Sequence, residues 1–305
     1  MSKAYVFTEY GGPETQTFVD LPRPVPGPGQ LLVAVHAAGV NPVDWKVRAG
    51  YLRAVLPLTL PAVLGTEVSG VVEEIGDGVE GFGIGDEVFG ALPLAGGYAE
   101  HALLPAQTAA HKPTAVSFTD AAALSVSAAT AHQGIDRLNL TPGATLLVNG
   151  AGGGIGVAAL QIARDLGVTV IGTASPGKAE FASSLGATHV AYGQGVAERV
   201  AAVTPNGVDA ILDLVGGDAL YAVAGLAVDK SRIVTAVDPT AASELGGDYF
   251  QVAQNGEALA PLAELVESGM LDPHVTKVAP FTEAAMALTA VEAGHSLGKT
   301  VLKVR

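Results

Sequence analysis

The stretch TLLVNGAGGGIGVAALQIARDLG, residues 145–167, decides the architecture. An apolar strand pattern runs into a turn containing four glycines, and an amphipathic helical pattern follows. That strand, turn and helix context is what makes a glycine motif a dinucleotide-binding hypothesis. In register with the strand the turn reads Ala151-x-Gly153-x-x-Gly156, with alanine at the first glycine position. Gly153 would let the backbone approach a pyrophosphate, and Gly156 would let the helix pack closely on the strand. The amides of Gly154 and Ile155 would face the anion at the helix N-terminus, where the helix dipole adds attraction.

Working outward, β patterns at 168–172, 209–212 and 232–237 alternate with helical patterns beginning at 155, near 178 and over 218–226. The alternation predicts a parallel sheet with crossover helices. Two further helical patterns, 258–267 and 282–293, flank a β run at 275–278, and the last strand is expected at 299–304. Upstream, short β runs at 4–7, 31–37, 68–75 and 87–89 are punctuated by Gly and Pro, which predicts a small all-β unit. LPRPVPGPGQ, residues 21–30, is too rich in proline to pair as a central strand and reads as an extended connection.

The 305 residues leave room for two domains, and 49% hydrophobic against 15% charged residues allow folding by burial. A net charge of −14 has the wrong sign for holding nucleic acid. There is no cysteine, so thiol nucleophiles, disulfides, iron–sulfur clusters and thiolate zinc sites are excluded. Apolar runs such as 155–163 are too short to span a membrane, and MSKAYVF lacks a signal-peptide pattern, so a soluble cytoplasmic protein is expected.

An NAD-preferring fold places an acid about 20 residues beyond the glycine turn to hold the ribose hydroxyls. That point falls in Gly172-Thr173-Ala174-Ser175-Pro176-Gly177-Lys178, which contains no acid. A hydroxyl at Thr173 or Ser175 and the ammonium of Lys178 could hold a 2′-phosphate instead, so NADPH is expected over NADH. The alternative for Lys178 is a solvated charge in a first helical turn.

GVNPVDWKVRAG at 39–50, LGTEVSG at 64–70, GDEVF at 85–89 and the glycine turn through Gln161 and Arg164 occur in that order, with LGKTVL at 297–302 closing the chain. Together they resemble the medium-chain dehydrogenase/reductase superfamily, and within it the zinc-independent quinone oxidoreductase (zeta-crystallin-like) group. The resemblance implies an α/β protein: a GroES-like β-rich catalytic domain from 1–115 and 272–305, and a Rossmann doubly wound parallel sheet, the NADP-binding domain, from 116–271. It further implies an active site in the cleft between them and a homodimer, with the strand near Ile233 extending the sheet across subunits.

Zinc-containing relatives carry Cys, His and usually Cys where this chain has Asn41, Thr66 and Val126, and their cysteine-rich loop is missing between Leu92 and Tyr98. The histidines, His36, His101, His111, His132, His189, His274 and His295, show no close metal-ligand spacing. No metal is therefore expected. Alcohol oxidation would then lack its usual alkoxide stabiliser, whereas hydride addition to a quinone or an enone needs only hydrogen-bond donors at the developing oxyanion.

Asn41 is the first catalytic candidate, because the family places it beside the reacting ring; its alternative is a turn role before Pro42. Lys46 could donate to the same oxygen or be merely exposed, and Tyr51 could be a donor or a wall. Asp44 and Glu67 read as structural acids, and Trp45, Leu92, Leu94 and Phe250 as pocket wall or core. For the cofactor, the resemblance implies Thr130 near the nicotinamide, Tyr192 near the adenosine phosphate, and Lys299 in the closing strand. Val215 and Val237 follow the fourth and fifth strands, at carboxyl ends where doubly wound sheets bind ligands.

These readings converge on an NADPH-dependent, metal-independent oxidoreductase that passes hydride to quinones or α,β-unsaturated carbonyls. The alternatives are an enoyl-thioester reductase of a lipid or polyketide pathway and a non-catalytic NADPH-binding sensor or structural protein. Partners are expected to be a small-molecule substrate and a second copy, with no nucleic acid and no membrane. Short-chain dehydrogenase chemistry is disfavoured, because no tyrosine has a lysine four positions on.

Overall fold

The molecule is a computed structural model that describes every residue except Leu56 and His295, so the sequence reading of His295 lies outside the described residues. Along Gln30–Val40 nearly every residue is buried, which is the pattern of a strand covered on both faces rather than one. It is the centre of the first sheet. Glu67–Ile75, Lys299–Lys303 and His101–Pro105 all pair with it antiparallel, and Glu87–Ala91, Ala109–His111 and Val275–Pro280 extend the sheet outward. A second, three-stranded sheet orders Gln16–Leu21, Ser2–Phe7 and Ala62–Val63. Phe7, Leu31, Val33, Val35, Val68 and Leu104 fill the core of this unit. Residues 22–27 carry no regular structure, as the prolines require.

The second unit is built on six parallel strands in the order Thr188–Ala191, Thr169–Ala174, Thr145–Asn149, Ala210–Asp213, Ile233–Thr235 and Asp248–Tyr249. This is the doubly wound Rossmann-type order, and its direction reverses at Thr145–Asn149, the switch point where such sheets bind ligands. Leu147, Ile171, Ile211, Leu220 and Ile233 form its core. Because Ile233–Thr235 pairs with Asp248–Tyr249, the strand near Ile233 is not an edge and cannot extend the sheet to another subunit. The edges are Thr188–Ala191 and Asp248–Tyr249.

The chain divides into Met1–Val126 with Gln254–Gly269 and His274–Arg305, and Ser127–Ala253 with Met270–Pro273. The division falls at 126 rather than 115 because Ser69 donates to the Phe118 carbonyl and Glu67 accepts from the Val126 amide, which ties that segment to the first sheet. The helix Ala260–Glu267 also belongs to the first unit, although the resemblance implied a place with the Rossmann sheet: Gly256 sits so close to Ala109 that a Cβ would meet its carbonyl oxygen. Residues 270–273 join the second unit through the Gln161 side chain, which bonds both backbone groups of Asp272. Among the described residues, no helix is long and apolar enough to cross a membrane.

Candidate functional site

In the second unit the turn after Thr145–Asn149 forms as its glycines demand. Gly150 has φ +98°, a backbone that L side chains resist. A Cβ at Gly156 would stand 2.3 Å from the Gly150 carbonyl oxygen, so only glycine lets the helix Gly154–Asp165 start this close to the turn. Gly153 is the N-cap and offers no side-chain acceptor, while a Cβ built on it would meet nothing within 4 Å. The first-turn amides of Gly154 and Ile155 therefore keep the unmet donors of a helix start, beside open space. That is a cradle fit for a pyrophosphate.

Lys178 reaches back to this turn, its ammonium donating to the Gly152 carbonyl at 3.1 Å, and partial burial pushes its pKa down. Ser175 is half-buried just before the short helix Pro176–Lys178, and Tyr192 is 61% exposed. Val215 and Val237 are exposed after their strands, and Thr130 is buried in the helix Ala129–Leu138. Thr173 does not fit the phosphate role expected of it. It is 1% exposed, its hydroxyl donates to Asn149 Oδ1 at 2.7 Å, and it accepts from the Gly150 amide at 3.1 Å. Phe250 is core as well, packed where Gly134 leaves room and under the Arg137 guanidinium.

In the first unit, Asn41 caps the helix Pro42–Arg48, and the Asn-x-x-Asp spacing returns the Asp44 carboxylate to the Asn41 amide nitrogen at 2.8 Å. Asp44 also accepts from the Tyr98 hydroxyl at 2.7 Å and the Thr66 hydroxyl at 3.0 Å. Full burial pushes its pKa up to about 6, although these hydrogen bonds pull the other way. Burial and the neighbouring Asp44 push the Tyr98 phenol up as well.

The Asn41 side chain is 2% exposed and engaged at both ends: Nδ2 donates to Glu67 Oε1 at 2.8 Å, and Oδ1 accepts from Lys299 Nζ at 2.7 Å. Lys299 also donates to Glu67 Oε1 at 2.7 Å, and the Val126 amide donates to Glu67 Oε2 at 2.8 Å. Asn41, Thr66 and Val126 therefore do come together, but around a carboxylate and an ammonium. Lys299 is 3% exposed and serves as the counterion of Glu67. Asn41 is likewise held inside the protein rather than presented as a free donor.

Lys46 and Tyr51 stand outside this network. The Lys46 ammonium lies 5.9 Å from the centre of the Trp45 ring, and Tyr51, 70% exposed, meets the same ring edge-on at 5.8 Å. Among the described residues, no group of three or more His, Cys, Asp or Glu is placed to hold a metal ion.

Sequence reasoning overlooked Tyr98, Asn149 and Thr235, and it set Asp213 beside the nicotinamide without foreseeing its bonds to Asn149 and Thr235. For Asp213 and Thr235 a signal was present: each polar residue closes an otherwise apolar strand of the second sheet.

Residues 27–114 match the alcohol dehydrogenase GroES-like domain, and 185–302 match the zinc-binding dehydrogenase family. The 2-methylene-furan-3-one reductase of Solanum lycopersicum is 32% identical over 98% of this chain and 78% of its own length. Among solved structures, the quinone oxidoreductase of Coxiella burnetii superposes with a TM-score of 0.92 at 32% identity, covering 100% of this chain and 99% of that one. A mycobacterial protein solved in complex with NADPH has a TM-score of 0.87 at 31% identity, with 100% of both chains covered.

Proposed function

The chain belongs to the medium-chain dehydrogenase/reductase superfamily, in its quinone oxidoreductase-like group, and from that premise we propose that it is an NADPH-dependent, metal-independent reductase of quinones or α,β-unsaturated carbonyls. The observation that carries the cofactor choice is Lys178, bound to the carbonyl of the glycine turn, where no acid follows the Thr169–Ala174 strand. Lys178, Ser175 and Tyr192 would hold the 2′-phosphate, and Gly153, Gly154 and Ile155 the pyrophosphate. Thr130, Val215 and Val237 would border the nicotinamide.

When bound, the reduced nicotinamide supplies a hydride. The protein's part is to orient the acceptor and to stabilise the oxygen that gains charge. We assign that stabilisation to Lys46, with Tyr51 and Trp45 forming the adjoining aromatic edge. Asn41 then acts through its fixed place in the Glu67 and Lys299 network. Side chains at the three zinc-ligand positions, Asn41, Thr66 and Val126, support a reaction that needs no Lewis acid. Hydride would add to the β-carbon of an enone, the carbonyl oxygen would take the negative charge, and solvent would protonate the α-carbon. We also propose a homodimer acting in the cytoplasm.

NADPH deuterated at the transferred position tests this chemistry. Deuterium at the β-carbon, with solvent hydrogen at the α-carbon, is expected. Deuterium at the carbonyl carbon would mean alcohol-forming reduction and a different mechanism.

A further inference from the structure

We propose that Thr173, Asn149, Asp213 and Thr235 form one hydrogen-bonded row that couples the glycine turn to the two turns beside it, so that the cofactor site is set as a unit. The ligand in this proposal rests on the NADPH reading above; the row itself rests on geometry. Thr173 pairs in register with Asn149, Asn149 with Asp213, and Asp213 with Thr235, on four adjacent parallel strands. Side chains in register across a parallel sheet project to the same face. All four lie at or next to the carboxyl ends of their strands, and all four are buried.

Central parallel strands ordinarily bury apolar side chains, and a buried polar one is tolerated only when its hydrogen bonds are met. Here they are met along the row. Thr173 Oγ1 donates to Asn149 Oδ1 at 2.7 Å, Asn149 Nδ2 donates to Asp213 Oδ1 at 2.7 Å, and Thr235 Oγ1 donates to Asp213 Oδ2 at 2.7 Å. Asp213 is the acceptor toward which both ends point, and among the described residues no ion pair of Asp213 is present to take its place.

Each neighbouring turn hangs from the row by a backbone amide. Gly150 donates to Thr173 Oγ1 at 3.1 Å, Gly216 to Asp213 Oδ2 at 3.0 Å, and Val237 to Thr235 Oγ1 at 3.2 Å. The second and third turns are also tied directly, Gly217 donating to Asp238 Oδ2 at 2.8 Å. A threonine hydroxyl that donates along the row keeps its lone pairs for the turn, so the orientation of each group depends on the next. Loss of one end should therefore be felt at the other.

Amide hydrogen exchange on the protein without cofactor, together with NADPH titration, tests the row on Thr173→Val, Thr235→Val and their combination. The substitutions are near-isosteric and replace only the hydroxyl, with a methyl group. Thr235→Val is expected to raise exchange over 236–238 and also over 150–153, with helix Val196–Val203 unchanged, and Thr173→Val to do the reverse. Thr235→Ser should restore both turns. The affinity losses of the two single variants should fail to multiply in the double variant by about threefold or more. Exchange that rises only beside each substitution, with losses that multiply within twofold, would overturn the row. Wild-type protein that binds no NADPH would overturn the cofactor reading instead, and exchange would still decide the row.

Discussion

Lys299 Nζ and Glu67 Oε1 stand 2.7 Å apart in the first unit, both side chains almost wholly out of solvent and both tied to Asn41. The strand Lys299–Lys303 brings the lysine to this place by pairing next to Val40, so the end of the chain completes a network begun by residue 41. Removing one partner of such a pair leaves a buried charge uncompensated. Lys299→Met should lower unfolding free energy by about 3–5 kcal/mol in urea denaturation, and a second change, Glu67→Gln, should recover much of that loss. A loss below about 1 kcal/mol would show that solvent reaches the pair.

Asp44 makes stability depend on pH. Its carboxyl titrates at about 6 in the folded chain against 3.8 without burial. A carboxyl raised in this way contributes stability that is fully present below pH 3.8 and is lost as pH rises through 6. The difference in unfolding free energy between wild type and Asp44→Asn should therefore move against wild type by roughly 3 kcal/mol from below pH 4 to pH 7. A difference that stays constant over that range would contradict the upward shift of the Asp44 carboxyl.

Lys178 is expected to discriminate between cofactors. A charge-assisted hydrogen bond contributes about 1.5–3 kcal/mol, so Lys178→Ala should weaken NADPH by roughly tenfold to a hundredfold and leave NADH nearly unchanged. Equal losses for both cofactors, read from fluorescence titration, would place Lys178 away from the 2′-phosphate.

Gly156 should tolerate no side chain. Its Cβ would lie 2.3 Å from one backbone oxygen and 2.6 Å from the Ala151 Cα, neither of which can swing away. Gly156→Ala should cost about 1–3 kcal/mol of stability and at least about tenfold in NADPH affinity. Full affinity in this variant would mean that the turn does not hold the pyrophosphate.

The parallel sheet was legible because strands and helices alternate with a grammar that crossover connections satisfy. Thr145–Asn149 and the helix that follows it fall where the apolar periods place them. The short strand Asp248–Tyr249 was not legible, since two exposed residues carry no period, and missing it made Ile233 look like an edge. For the site, residue type suggested that Thr173 faces a phosphate, and the family resemblance that Lys299 meets a cofactor. What neither signal could give is long-range register: Thr173 is opposite Asn149, and Lys299 lies within reach of Glu67, separated from it by most of the chain. Hydrogen-bond capacity is visible in a sequence, but its partner across a sheet is not.

The most direct measurement is NADPH oxidation by metal-free protein offered a short alkenal, a cyclic enone, a naphthoquinone, an enoyl thioester and a saturated aldehyde, each repeated with NADH. We expect turnover of the conjugated enones or the quinone, a preference for NADPH, and none with the saturated aldehyde. Reduction of the saturated aldehyde, or activity that appears only when zinc is added, would contradict metal-independent conjugate reduction.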